Sequence, residues 1–404
     1  MSEIVRPDQP AATTDGSGVS RRSALRAFGG LAFGGLTGTA LAGCETSGAT
    51  ATPTGTLVIG LLIPRTDELK AVGADIYDGF KLYTDLNSPF GGYGITIVAA
   101  EEKAKAAENK AAVDGLVKQG VSAIAGVAQP ETMLAIRDTI EGAHVPLIGA
   151  HASPTSLQSV LWMWSASYVG SEPGEALGRY LKATHKSVVA VGANDLSSTD
   201  AVTGFLKGYG SLPKDRVLKS GGPDAMVSAV EGFNPDAVFC ALSGAAAEKF
   251  IEKLRGAGVK SEIYAPGGLT EGSALDSLVA AIGAKNATGI YTAMNYTADL
   301  SNSANQLFAS RFRSSVRRTP SAYAVAGWDA AQALDKAIRA CGAAQPSRDL
   351  INAKLGGLGQ LASPRGTIAF NQTRTPLQKW YLRRVMNDGP RLANVTVRSL
   401  ATLG

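Results

Sequence analysis

The sequence predicts an α/β protein of two domains, each a parallel sheet flanked by helices. Three observations lead there. Short, continuous runs of β-branched and apolar residues recur along the chain, as in strands buried on both faces. Between them lie stretches whose apolar residues repeat at helical spacing, which implies right-handed βαβ units. At 404 residues the chain is long enough for two such units but lacks any repeat of solenoid length.

The elements follow in order. TLVIGLLI (56–63), stopped by Pro64, reads as the first buried strand, and Ile76, Phe80, Tyr83 and Leu86 mark the core face of a helix over 75–86. GITIVAA (94–100), a charged helix over 103–119, VSAIAG (121–126), a helix ending near Ile140 and VPLIGA (145–150) continue the alternation. It resumes with SVVAVGA (187–193), a helix near 199–209, DAVFCAL (236–242), a helix over 245–255 and EIYAPG (262–267). The 47 glycines mostly mark strand ends, where tight turns require them. In open parallel sheets ligands bind beyond the carboxyl ends of the strands. The loops to inspect are therefore 64–70, 127–131, 151–156, 194–200, 243–248 and 266–272, all rich in small and helix-capping residues. Free N–H groups at helix starts suit a carboxylate or another polar acceptor. One such loop is a turn; six on the same side of two sheets describe a cleft.

Composition narrows the function. The net charge of +5 is small for this length, and the densest basic run, RFRSSVRR (311–318), reads as the solvated side of a helix, so no nucleic-acid partner is expected. The chain contains no G-x-S-x-G elbow, no G-x-x-x-x-G-K-[ST] loop and no G-x-G-x-x-G after a strand. His144 and His151 flank a strand without a carboxylate or cysteine at metal-ligand spacing, and His185 reads as an exposed turn residue. Lone acids such as Asp195 and Asp200 read as helix caps. No catalysis, metal or cofactor is expected. Cys240 reads as a buried strand thiol and Cys341 as a helix-end thiol; a bridge is chemically allowed outside the cytoplasm but not expected.

The N-terminus has its own pattern. SRRSALR (20–26) precedes the mildly apolar AFGGLAFGGLTGTAL (27–41), which is short of the roughly 20 residues a membrane span needs. A basic patch, a short apolar core and small residues describe an export signal over 1–43. Arg21-Arg22 resembles a twin-arginine signal, with Ala24 where that pattern prefers Phe. LAGC (41–44) resembles the bacterial lipobox, which implies that Cys44 becomes a lipidated first residue attached to the membrane. Removing 1–43 takes away four Arg and three acids, leaving +4. The small, polar residues 44–55 read as a flexible tether.

From Thr56 to about Val397 the chain resembles the type I periplasmic substrate-binding proteins of ABC importers, in the leucine/isoleucine/valine branch. The passages that carry this are IGLLIPRTDELKAVGADIYDGFKL, AIAGVAQPETMLAIRDTIEGAHVPLIGAHASPTSL, EALGRYL, NPDAVFCALSGAAAEKFIEKLRGAGV, YAVAGWDAAQAL and SPRGTIAFNQTRTPLQKWYLRRV. The resemblance implies two Rossmann-like lobes joined by three crossovers, near 165–167, 293–296 and 363–366. Lobe 1 would be 56–165 plus 296–363, and lobe 2 would be 166–295 plus 364–400. It also implies a small-molecule ligand held between the lobes and delivered, by cleft closure, to an ABC permease and ATPase. A sensory or regulatory binding protein of the same fold is the alternative. Carried over position by position, Ser153 falls where relatives hold the ligand carboxylate, after His151 and Ala152. The other carboxylate-binding Ser falls on Pro130, preceded by Gln129. Tyr323 matches the first-lobe aromatic, with Tyr168 nearby. The second-lobe aromatics fall near Ser198 and Ala245. The acid that pairs a ligand ammonium falls on Gly267, while Glu271 lies four residues on, expected in the first turn of the next helix. Arg65, in the first strand-end loop, is a candidate to pair an anionic group.

Overall fold

The computed structural model describes residues 54–404 except Asp67. The export signal, the lipobox with Cys44, and the tether as far as residue 53 lie outside the described residues. Thr54 and Gly55, assigned to the tether from sequence, belong to the fold: Thr54 N–H donates to the Gly92 carbonyl at 2.8 Å, and the first strand begins at Gly55.

The first sheet is parallel throughout. Its strands are β1 (Gly55–Ile63), β2 (Tyr93–Glu101), β3 (Ala123–Gly126), β4 (Leu147–Gly149) and β5 (Met163–Ser165), in the order β2-β1-β3-β4-β5. Helices α1 (Lys70–Asn87), α2 (Asn109–Lys118) and α3 (Pro130–Ala143) connect the first four strands. Ile59, Leu61 and Leu62 are fully buried in β1, as its unbroken apolar run predicts for a central strand. The chain then enters a second unit through α4 (Glu172–Thr184), β6 (Val188–Val191), α5 (Leu196–Tyr209), β7 (Val217–Leu218), α6 (Gly222–Phe233), β8 (Ala237–Cys240), α7 (Gly244–Gly256), β9 (Glu262–Pro266), α8 (Ser273–Ile282), α9 (Ala284–Ala287) and β10 (Tyr291–Met294). It returns to pack α10 (Ser303–Val316), α11 (Ala322–Arg339) and α12 (Arg348–Gly356) beside the first sheet. A small hairpin, β11 (Gln360–Ser363) and β12 (Gly366–Ala369), precedes β13 (Gln378–Asp388) and β14 (Arg391–Leu403). The last two strands add antiparallel to the second sheet, whose order is β14-β13-β10-β9-β8-β6-β7. The architecture is a two-lobed α/β fold with crossovers between the lobes.

Several local expectations are corrected. The charged helix over 103–119 begins only at Asn109, whose amide is held by the Lys103 backbone and Thr132. His185 is not an exposed turn residue; its ring is half-buried against Tyr264 (5.4 Å) and lies 3.0 Å from Glu262. Glu271 is not in a helical turn, because α8 starts after it at Ser273. Asp195 does cap α5, accepting the Ser198 N–H at 2.8 Å, but Asp200 caps nothing. It accepts the Thr155 N–H at 2.9 Å, joining a first-sheet loop to a second-lobe helix. Cys240 and Cys341 are both free and buried.

Buried ionic groups tie the connecting segments together. Arg365 pairs with Asp329 at 2.6 Å, both almost fully buried, and also donates to the Ala166 carbonyl and to Gln378 Oε1. Gln378 in turn donates to the Ser167 carbonyl and accepts from Asn295 Nδ2. One guanidinium and one amide thereby hold residues 166–167, 295 and 363–365 in a single network.

Candidate functional site

The first wall is built at the carboxyl ends of β2 and β3. Gly126 has φ +109°, and a Cβ there would sit 2.4 Å from the Leu62 carbonyl, so glycine alone allows the turn out of β3. That turn aims the Ala128 and Gln129 N–H groups at Glu102, whose carboxylate accepts both, at 2.7 and 3.0 Å. Burial pushes Glu102 up to about 7, against the lowering effect of those bonds. Pro130 is the first residue of α3 and Gln129 its N-cap, with the Gln129 side chain donating to the Lys103 carbonyl. The two amides that lead into α3 are thus committed to the protein's own carboxylate.

The loop after β4 carries His151, Ala152 and Ser153. His151 packs between Tyr323 (5.1 Å) and Tyr168 (5.9 Å), and Tyr168 makes an edge contact with Trp380 at 5.2 Å. His151 Nδ1 is buried without a partner, and desolvation holds the imidazole down to about 4. The Tyr168 and Tyr323 hydroxyls are raised by burial first, with the Glu271 charge adding to it and Arg383 opposing it. Ser153 is buried; its N–H donates to the Tyr168 carbonyl at 2.7 Å, and it lines a cavity with Thr155, Val169 and residues 372–375.

The second wall meets the first at the 266–272 loop. Gly267 is buried, and a Cβ there would lie 2.7 Å from the Ala293 carbonyl, so no larger residue fits without displacement. The acid of this loop is Glu271, paired with Arg383 of β13; their side chains are 4% and 3% exposed. Glu271 also accepts the Ala322 N–H at 2.6 Å, so a second-lobe carboxylate caps the start of first-lobe helix α11. Arg383 donates weakly to the Gly267 and Tyr296 carbonyls, and its Nε has no partner. Beside this contact Asp75 accepts from Ser321 and Arg318.

The structure therefore gathers His151, Tyr168, Tyr323, Trp380, Glu271 and Arg383. Ser198 is not among them: it is buried in the first turn of α5, where its hydroxyl accepts the Ala193 N–H at 2.7 Å. Ala245 is exposed on the first turn of α7. Arg65 is exposed, and its backbone N–H, not its guanidinium, is engaged, by Glu101 at 2.9 Å. Sequence reasoning passed over Glu102, Arg383 and Trp380. Two adjacent acids ending an apolar strand (IVAAEE) were the available signal for the first. For Arg383 and Trp380 it was the alternation in QKWYLRRV.

Two α/β lobes with ligand-sized side-chain chemistry between their strand-end loops define a binding protein that closes on a small molecule. The chain belongs to the periplasmic binding protein family, whose pattern matches residues 56–390. Among curated proteins it is similar to a Leu/Ile/Val-binding protein homolog of Brucella abortus, 22% identical, with 83% of this chain and 89% of that one covered. Among solved structures it is similar to an ABC-transporter solute-binding protein of R. palustris in complex with benzoate. That match has a TM-score of 0.73 and 25% identity and covers 86% and 98% of the two chains. A branched-chain amino-acid transporter substrate-binding protein of Streptococcus pneumoniae in complex with isoleucine gives a TM-score of 0.72 and 21% identity over 85% and 99%. As a member of that family the chain is an extracytoplasmic solute-binding protein.

Proposed function

We propose that the cleft takes a small aromatic or other organic acid, without the α-ammonium of an amino acid, and delivers it to the permease and ATPase of an ABC importer. The observation that carries this reading is the Glu271–Arg383 pair. An α-ammonium entering a closed cleft needs a carboxylate. Gly267 supplies none, and Glu271 is already neutralised by Arg383. Leaving a buried charge without its partner costs about 3–5 kcal/mol, roughly two to three decades of affinity. An organic acid brings no ammonium to strand, and its apolar part is offered the wall of Tyr168, Tyr323 and Trp380, where His151 Nδ1 and Arg383 Nε are the unpartnered polar atoms. The benzoate-bound relative supports the same class. His151, Ala152, Ser153 and Tyr323 are proposed to line the ligand from lobe 1 (56–165 plus 296–363), and Gly267 from lobe 2 (166–295 plus 364–400). Calorimetry of the purified protein with benzoate and 4-hydroxybenzoate, alongside leucine, isoleucine and valine, tests the reading. Micromolar or tighter binding of a branched-chain amino acid sinks it. A bound acid at 100 times its Kd should add about 2.7 kcal/mol of stability.

The same reading places the protein on a membrane surface through lipid on Cys44. Cys44→Ser should move it from the membrane fraction to the soluble one with its thermal midpoint unchanged. Retention of that variant in the membrane would mean that another segment holds it there.

A further inference from the structure

A cavity of about 330 Å³ is lined by Trp164, Phe370, Gln372 and Arg374; at Trp164, Gln372 and Arg374 it adjoins the separate cavity that Ser153 lines. Arg374 stands where the two meet. It holds φ +63°, a left-handed conformation costly for a residue with a Cβ. It is fixed there by two backbone bonds: its N–H donates to the Asn371 carbonyl and its carbonyl accepts the Ser165 N–H, each at 3.0 Å. Its guanidinium lies over the Trp164 ring at 4.2 Å. Among the described residues that guanidinium donates no hydrogen bond and has no ion pair. The nearby acid, Glu141, is engaged by the Leu161 and Trp162 N–H groups. The other polar groups around it are mostly satisfied. Trp164 Nε1 donates to Asn352 Oδ1 at 2.8 Å, Asn352 Nδ2 donates to the Leu161 carbonyl, and the Asn371 amide is bound within its own turn. One wall is aromatic, with Phe370 5.3 Å from Trp164; α12 presents Ala353 and Gly356, and Asn352, Asn371 and Gln372 complete the lining. A partly desolvated guanidinium with its N–H edge unused, over an aromatic wall, has the chemistry of a bidentate carboxylate site.

We propose that the first of these cavities is a second binding site, for a small aromatic or apolar carboxylate held by Arg374 and seated against Trp164 and Phe370. Because Arg374 bonds Ser165 where the chain leaves the first sheet, a ligand there stiffens the connection between the lobes. The proposal does not depend on what the interlobe cleft binds.

Protein labelled with ¹⁵N-tryptophan separates the two sites, since the Trp164 indole reports that cavity and the Trp380 indole the cleft. Trp164→Phe and Trp380→Phe identify the resonances. With benzoate as the probe, the Trp164 indole signal should shift saturably. Arg374→Asn, which tolerates the left-handed backbone, should weaken that midpoint by roughly tenfold to hundredfold and leave any Trp380 response unchanged. Gly356→Met, which keeps the arginine and fills the cavity, should do the same. A Trp164 resonance that does not move overturns the proposal, as does a midpoint unaffected by either variant. Inorganic phosphate shifting Trp164 at the same concentration as benzoate overturns the carboxylate class. A silent Trp380 with a responsive Trp164 counts against the cleft reading alone.

Discussion

Burial shifts His151 in the direction opposite to the buried acids Glu102 and Glu172, and that gives the fold a pH signature. Its pKa falls to about 4 in the fold against about 6.5 unfolded, so the unfolded chain binds the proton first as the pH drops. Its contribution is therefore fully present above pH 6.5 and is lost as the pH falls towards 4. Glu102 and Glu172, both raised to about 7 by burial, act in reverse: their contribution is present below pH 4.5 and lost as the pH rises to 7. His151→Phe keeps an aromatic between Tyr168 and Tyr323 and removes only the titration. The variant should gain on wild type by about 2–3 kcal/mol between pH 7 and pH 4.5, measured as the difference between urea midpoints at the two pH values. A constant difference across that range would mean that the imidazole is solvated. The sequence marked His151 as a candidate, but it could not supply the environment. The ring is desolvated by Tyr168 and Tyr323, which lie 17 and 172 positions further along the chain.

Helix packing rests on glycines that the sequence reading gave to turns. In α4 and α5, Gly174, Gly178, Gly204 and Gly208 face one another at i, i+4 spacing. A Cβ on Gly204 would lie 1.8 Å from the Ser171 carbonyl, and one on Gly174 would lie 2.0 Å from the Ala201 carbonyl. The helices approach to backbone contact, and a methyl group forces them apart. Gly204→Ala should destabilise by about 1–3 kcal/mol or more. Gly115→Ala, in α2 with open space around it, should stabilise by about 0.5–1 kcal/mol. Chemical denaturation of the two variants checks both signs. The spacings GEALG and GFLKG were visible, yet a pair of glycines says nothing about its partner until two helices are docked. The βαβ strands were legible for the converse reason: a strand buried on both faces carries its environment in its own composition. β13 and β14 were not, because charged and polar residues are mixed with their apolar ones and no unbroken apolar run marks them.

At the scale of the molecule, two buried ion pairs do different work. Asp329–Arg365 joins segments that connect the lobes, so its loss acts on folding. Asp329→Ala leaves the guanidinium uncompensated and should cost about 3–5 kcal/mol, with the double variant Asp329→Leu/Arg365→Met recovering much of it. Unfolding free energies for the single and double variants measure that recovery. Glu271 and Arg383 both belong to lobe 2, but Glu271 also reaches the Ala322 N–H of lobe 1, so loss of that carboxylate acts on closure. Glu271 bonds the Ala322 N–H only when the lobes meet, whereas Arg383, in the same lobe, remains its partner in either form. Glu271→Gln keeps the size and a hydrogen-bond acceptor but makes the bond to the Ala322 N–H a neutral one, while Arg383 loses its counter-charge in both forms. Charge assistance adds about 1–1.5 kcal/mol to a hydrogen bond, so the closed-to-open ratio without ligand should fall by roughly five- to twelvefold. Small-angle scattering should then give a larger radius of gyration for the unliganded variant, with unchanged far-UV circular dichroism. A ligand that binds the closed form better restores closure, because it can shift the equilibrium only by its differential affinity. If the wild type and the variant scatter identically without ligand, the Glu271 contact contributes nothing to holding the lobes together.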